Sequence, residues 1–316
     1  MKISTVNYQP QFKDQVLDLF NIVFKKKMSK KFWKWRFETN PFGKPISKLA
    51  FVDSKLVAHY LIHPIILNHF SKSINCQFSM TTMTHPNFSK KGLMTHLAKE
   101  AYKTAKENNY KLVIAFANKN SHYFFIKKLG FFTIQIMKEM SLNINNYSEL
   151  PSKYSSSKIT TFNESISNFY FQKIKKIPMI ITPRTSDYLN WRFIDHPENE
   201  YHCFKLMDDD TLAGYFVLKN YAGIKAHIVD FFMKDNVDCY NCMINEAKKF
   251  CNNYNLNKIT LWNSNETFQK FLKKQLDHEE ILETFFVGKT LTKQLSISDI
   301  QKFHNWHITM GDSDVY

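Results

Sequence analysis

Apolar residues recur along this chain in two rhythms. Val16, Leu19, Phe20 and Val23 fall three and four apart, which predicts a helix over 14–24. Leu93, Leu97, Ala101 and Ala105 keep a spacing of four and predict a longer one over 93–108. Between them, runs rich in β-branched and aromatic residues predict strands near 48–53, 56–66 and 75–84. An aromatic-rich stretch, 32–37, reads as a short helix closed by Asn40-Pro41-Phe42-Gly43. A buried strand at 112–117, a helix at 121–128 with Gly130 as its C-cap, and strands over 131–143 complete the first half. The polar stretch 152–157 reads as a linker. The class expected is α/β (mixed α+β).

The pattern then repeats. Residues 32–41 (FWKWRFETNP) and 188–197 (YLNWRFIDHP) share aromatic-x-x-Trp-Arg-Phe-x-x-x-Pro, and Trp35 recurs as Trp191, 156 residues on. The strand–turn–strand block 51–60 recurs at 206–215, with Ala58 matching Ala213 at a shift of 155. The block 111–120 with 125–129 recurs at 258–265 with 271–275, and Asn118 matches Asn263 at a shift of 145. The second copy is therefore about ten residues shorter between its second and third blocks. Two domains are expected, 1–150 and 158–316.

Composition narrows the function classes. Hydrophobic residues are 44% of the 316, and 29 are Phe, which favours packed cores over disorder. No apolar run approaches the roughly 18–20 residues of a membrane span, and the first residues lack an apolar signal core. A cytoplasmic protein without a membrane partner is expected. The five cysteines, an odd count at irregular spacing, suit reduced thiols. Cys239-x-x-Cys242 has no second ligand pair and reads as two helix-core residues, so no metal is expected. The net charge of +15 favours anionic partners such as phosphate-bearing small molecules. Arginine is rare beside lysine, and no nucleic-acid partner is expected.

The missing residues matter because of what the first copy has there. Met83-Thr84-His85-Pro86-Asn87-Phe88-Ser89-Lys90-Lys91-Gly92-Leu93-Met94 leads from a strand into the long helix. A helix start presents free N–H groups and partial positive charge, a glycine lets the backbone come close, and two lysines add charge: together, a place for a pyrophosphate. An ordinary surface turn is the bland alternative. In the second copy, 229–243 holds no glycine, and Asp235 and Asp238 stand in that region.

These residues resemble motif A of the GNAT N-acetyltransferase superfamily, Arg/Gln-x-x-Gly-x-Gly/Ala, here Ser89-x-x-Gly92-x-Met94. Residues 118–131 resemble its motif B: strand, Asn-rich turn, helix, Leu-Gly-Phe. The resemblance implies two GNAT-like modules in tandem, each a mostly antiparallel sheet flanked by helices. It implies acyl-CoA bound by Met83, Thr84, Ser89, Lys90, Lys91, Gly92, Leu93, Met94, Asn118, Ser121 and Phe124. By position in that family, Tyr123 is either a proton donor to the departing thiolate or a core residue. A general base is sought among His85, His59, His63 and the acidic segment near the end. That segment, 306–316, is unusually rich in Trp, Gly and Asp. It either folds back toward an acceptor site between the modules or is an exposed acidic end. Asp312 is the candidate base there, with Asp314 and Trp306 as substrate contacts. Arg36 is a further candidate substrate contact, although its repetition as Arg192, each beside a Trp, fits a structural role better.

The second module is expected to have lost its coenzyme and to help form the acceptor site. The tandem arrangement is similar to the FdhC-like sugar N-acyltransferases, which implies acetyl or 3-hydroxybutanoyl transfer to a dTDP-linked amino sugar for surface polysaccharide. A Fem-like aminoacyl-tRNA-dependent transferase and a non-catalytic CoA-binding protein stay open as alternatives.

Overall fold

The helical spacings and alternating runs form the elements they predict. The structure is a computed structural model describing residues 3–69, 72–146, 148–273 and 277–316; Lys274 and Gln275 of the third repeated block lie outside these. In chain order the first elements are β1 (Ile3–Asn7), α1 (Lys13–Phe24), α2 (Lys30–Trp33), β2 (Ile46–Val52), β3 (Lys55–His69) and β4 (Lys72–Thr84). There follow α3 (Leu93–Glu107), β5 (Leu112–Asn118), α4 (Lys119–Leu129) and β6 (Phe132–Asn143). Then come β7 (Ser155–Ile159), α5 (Glu164–Ile174), β8 (Ile180–Ile181), α6 (Ser186–Leu189), β9 (His202–Asp208), β10 (Thr211–Tyr221) and β11 (Lys225–Met233). The last are α7 (Val237–Asn253), β12 (Lys258–Leu261), α8 (Glu266–Leu272), β13 (His278–Thr290) and α9 (Ile297–Gln301). No helix among the described residues is long and apolar enough to cross a membrane.

Two compact units result, each drawn from three stretches of chain. The first is 1–67, 73–135 and 284–301; the second is 68–72, 136–283 and 302–316. In the first, β1, β2 and β3 pair antiparallel in order, β4 and β5 pair in parallel, and residues 284–290 of β13 pair antiparallel with β5. In the second, β7, β9, β10 and β11 pair antiparallel, β11 and β12 in parallel, and residues 140–143 of β6 antiparallel with β12. Each unit thus has one parallel pair in an otherwise antiparallel sheet. Each takes its last strand from the other half of the sequence.

The cores follow the periodicity. Leu97, Ala98, Ala101 and Ala105 on one face of α3 pack against Val57, Ala58 and Tyr60 of β3 and Val113 and Ala115 of β5. Fully burying one such leucine is worth about 1.5–3 kcal/mol. In the second unit Cys239, Met243, Ala247, Phe250 and Cys251 on α7 meet Ala226 and Ile228 of β11 and Ile259 and Leu261 of β12. All five cysteines are free and buried. Gly130 caps α4 in the left-handed region at φ +68°. The repeated Trp-Arg-Phe lies in a π-helical turn in both copies, Lys34–Glu38 and Asn190–Ile194, each preceded by one α-turn.

One expectation is corrected. The stretch 152–157 is not all linker, because Ser155–Ile159 is a strand paired with β9. It ends its sheet and is mostly exposed, so serine and lysine serve there and no apolar alternation betrays it.

Candidate active site

The parallel pair in the first unit parts company partway. Residues 76–78 of β4 pair with 112–114 of β5, and the ladder ends there, although β4 continues to Thr84 and β5 to Asn118. Thr81 has φ +50° in the middle of β4. For a β-branched residue that is a rare conformation, and it marks a break in the strand. Beyond it the two strands no longer bond to each other, which leaves an opening in the ladder between them.

Each strand of the opening hands the chain to a helix start. After β4, His85 caps a short 3-10 turn, its Nδ1 accepting from the Asn87 N–H at 3.3 Å. Ser89, Lys90, Lys91 and Gly92 are then exposed. Lys90 (φ +62°) and Gly92 (φ +76°) are both left-handed, and Gly92 is the N-cap of α3. A glycine has no side chain to accept from the first-turn amides, so those donors face outward for another acceptor. A Cβ built on Gly92 would meet nothing within 4 Å. The residue is therefore required by its φ and by whatever approaches from outside, not by packing within the chain. Lys91 Nζ lies 5.0 Å from the Phe88 ring centroid.

After β5, Asn118 Oδ1 accepts from the Ser121 N–H at 2.9 Å, and Ser121 Oγ lies 3.1 Å from the same oxygen. These two side chains fix the first turn of α4. Tyr123 on that turn is 63% exposed, so it is not a core residue. Phe124 is half-buried against the core. Of the other expected coenzyme contacts, Met83 and Leu93 are buried, and Thr84 and Met94 are half-buried. Met83 and Leu93 can therefore contribute only backbone.

Histidine candidates separate by burial. Burial pushes His59 down to about 4 and His63 to about 3, so both are neutral. Each ring is engaged: His59 Nε2 is 2.9 Å from Ser47 Oγ, and His63 Nε2 donates to the Arg36 carbonyl at 3.0 Å. His122 was not expected from the sequence. Its ring stacks on Phe285 at 4.0 Å, its Nε2 is 2.8 Å from Thr133 Oγ1, and partial burial lowers its pKa. No local signal could have found it, because Phe285 comes from the exchanged strand β13. Arg36 is buried, over the Trp35 ring, with Nη2 3.5 Å from Met80 Sδ, one residue from the Thr81 break.

The structure places the remaining three candidates in the second unit. Trp306 is buried, and Asp314 is exposed. Asp312, expected as a base, is instead an anchor. Arg184 donates to both its oxygens, Nη1 to Oδ1 at 2.9 Å and Nη2 to Oδ2 at 2.8 Å. Burial alone would raise its pKa, but the guanidinium overrides burial and holds it below the ordinary carboxylate value. Asp230 accepts from the same Arg184 at 2.9 Å and from Tyr215 Oη at 2.7 Å.

Where β4 leads to a glycine, β11 leads to a closed cap. The parallel ladder of β11 and β12 ends at Ile228 and Leu261, and only Lys234, Asp235 and Asn236 separate β11 from α7. Asn236 caps that helix, accepting from the Cys239 N–H at 2.9 Å.

Comparison with known proteins agrees with this geometry. Residues 6–134 match the family model of the acetyltransferase (GNAT) domain. A probable N-acyltransferase from Enterococcus faecalis V583 has a TM-score of 0.75 at 10% identity, over 92% of this chain and 73% of that one. A tandem GNAT protein from the clavulanic acid biosynthesis pathway has a TM-score of 0.62 at 11% identity, over 93% and 100%. Saccharomyces cerevisiae N-myristoyltransferase with bound myristoyl-CoA has a TM-score of 0.59 at 12% identity, over 90% and 82%. No curated protein matches the sequence. The chain thus matches a GNAT acetyltransferase domain in its first part, residues 6–134. Its mixed α/β fold is that of two GNAT-like modules.

Proposed function

We propose that the protein transfers an acyl group from acyl-CoA to an amine, with the coenzyme held in the first unit. The observation that carries this reading is the opening between β4 and β5, set beside a glycine-led helix start flanked by Lys90 and Lys91. Acyl-CoA would supply an activated thioester and a pyrophosphate. The first-turn amides of α3 bind the pyrophosphate, with Lys90 and Lys91 adding charge. The exposed backbone edge of β4 beyond Thr81 orients the amide-bearing arm, as a β-strand orients a peptide. Backbone N–H groups at the opening stabilise the oxyanion that develops when the amine attacks. Tyr123 gives its proton to the leaving thiolate. His85, in the same loop, is the residue we assign to receive the amine proton, after turning from its bond to Asn87.

The acceptor we infer is a dTDP-linked amino sugar, and the acyl group acetyl or 3-hydroxybutanoyl. The net charge of +15 supports an anionic acceptor. Arg36 is the residue we assign to it. It is a buried cation with its Nη2 on Met80 Sδ, one residue from the Thr81 break, which is what supports placing it near the acceptor. The test is free-thiol release from a panel of acyl-CoAs mixed with amino-sugar nucleotides, with Gly92→Asp as control. Release that requires both substrates and vanishes in the variant is expected. Release with no pair, despite coenzyme binding, would remove the sugar from the proposal.

A further inference from the structure

We propose that residues 306–313 are a built-in occupant of the second unit, closing the opening that matches the first unit's transfer site. This rests on reading the first unit's opening as that site. The β11–β12 ladder stops at 228 and 261, as the β4–β5 ladder stops at 78 and 114; β11 runs on to Met233, and β12 ends at Leu261. The segment bonds to both sides beyond the end of that ladder. His307 Nε2 donates to the Phe231 carbonyl on the β11 side at 3.0 Å, and the Ile308 N–H donates to Ser264 Oγ just past β12 at 2.8 Å. The Phe231 carbonyl is a strand-edge group of the kind to which an amide-bearing arm would bond, and Ser264 supplies a side-chain hydroxyl opposite it.

The segment is held as a ligand is held. Thr309 Oγ1 donates to Asp230 at 2.7 Å, and Arg184 bridges Asp230 and Asp312. Arg192 donates to the Gly311 carbonyl at 3.1 Å and the Ser313 carbonyl at 3.4 Å. Trp306, Ile308, Thr309 and Met310 are each at most 4% exposed. A Cβ on Gly311 would meet Phe193 at 3.0 Å and Asp230 at 3.2 Å, so any larger residue there must push its neighbours aside. Beside His307 a cavity of about 140 Å³ remains. Ligand pockets run to roughly 300–1,000 Å³, so what is left is too small for a coenzyme arm. Two further features agree: the short loop before α7 and its self-supplied cap, Asn236.

Hydrogen exchange on the full chain tests the occupancy. Gly311→Leu should expel the segment, raising exchange at least tenfold at 306–313 and 229–233, with 112–118 in the first unit unchanged. Unchanged protection at 306–313 and 229–233 would overturn the proposal. Should Gly311→Leu not fold, His307→Ala reads the same amides with the loss centred on 231 and 308. Calorimetry with acetyl-CoA on the wild type gives the second arm. One equivalent bound, lost in Gly92→Asp, is expected; two equivalents would overturn the closed second site. No binding would instead overturn the coenzyme reading of the first unit, while hydrogen exchange still decides the occupant.

Discussion

After β4 the first unit places residues 85–92 before its long helix; after β11 the second places only 234–236. The longer loop carries two left-handed residues and ends on a glycine that cannot cap. The shorter one ends on Asn236, whose side chain takes up a first-turn N–H, with Asp238 following. The same strand–helix junction thus leaves its donors uncapped in one unit and takes one of them up with a side-chain cap in the other. β11 is also shorter, 9 residues against 13 for β4, so the loop and the strand together account for the shorter second copy. The difference teaches that the junction between a parallel pair and its helix can change while the sheet order around it stays the same.

Five outcomes would break or sharpen that contrast. The largest concerns the second unit's replacement contacts. Arg184→Met leaves Asp230 and Asp312 buried without their cation and should cost about 3–5 kcal/mol, read by urea unfolding. The same cluster sets a pH dependence. The pKa of Asp312 is depressed in the fold, so its contribution is complete above the ordinary carboxylate value of about 4 and is lost as pH falls below it. Stability should already decline below the ordinary histidine value of about 6.5, because the unfolded chain takes up protons that the buried imidazoles of His59 and His63 refuse. The Asp312 contribution is the further loss below about pH 4, read as the difference between the wild type and Asp312→Asn; the same pH profile in both would contradict the assignment.

Next is Gly92→Asp. It puts a Cβ at φ +76° and a carboxylate where a pyrophosphate would sit, so coenzyme affinity should fall on the order of 10³-fold by calorimetry. Retained affinity would make the junction an ordinary turn. Tyr123→Phe should lower turnover by about 100-fold with coenzyme affinity and melting temperature unchanged, since the ring is largely exposed. Equal turnover would strip it of the proton-donor role. Smallest is Asn236→Ala, which removes the cap of α7 and should cost about 1 kcal/mol by urea unfolding, with coenzyme binding untouched.

Much of the molecule was legible locally. The spacing of Leu97, Ala101 and Ala105 named the buried face of α3, and Gly130 marked the end of α4. The repeat of Trp-Arg-Phe anticipated two modules, and it lies in matching π-turns. Asp312 was misread because its partner, Arg184, lies 128 residues earlier and in no shared motif. Thr81 gave no warning of its positive φ, and the serine-rich β7 looked like linker because an exposed last strand needs no apolar face.

The sequence by itself determined the periodicities, the caps, the duplication and the glycine-led loop that separates the two copies. These depend on residues a few positions apart, where hydrogen bonding and burial are local. Only the tertiary structure decided which last strand completes each sheet, since β6 and β13 both read simply as strands and either could pair with either neighbour. It also decided that residues 306–313 lie across β11 and β12. That placement is held by buried ion pairs and hydrogen bonds to Arg184, Asp230, Phe231 and Ser264, groups distant in sequence that become partners only when the fold brings them together.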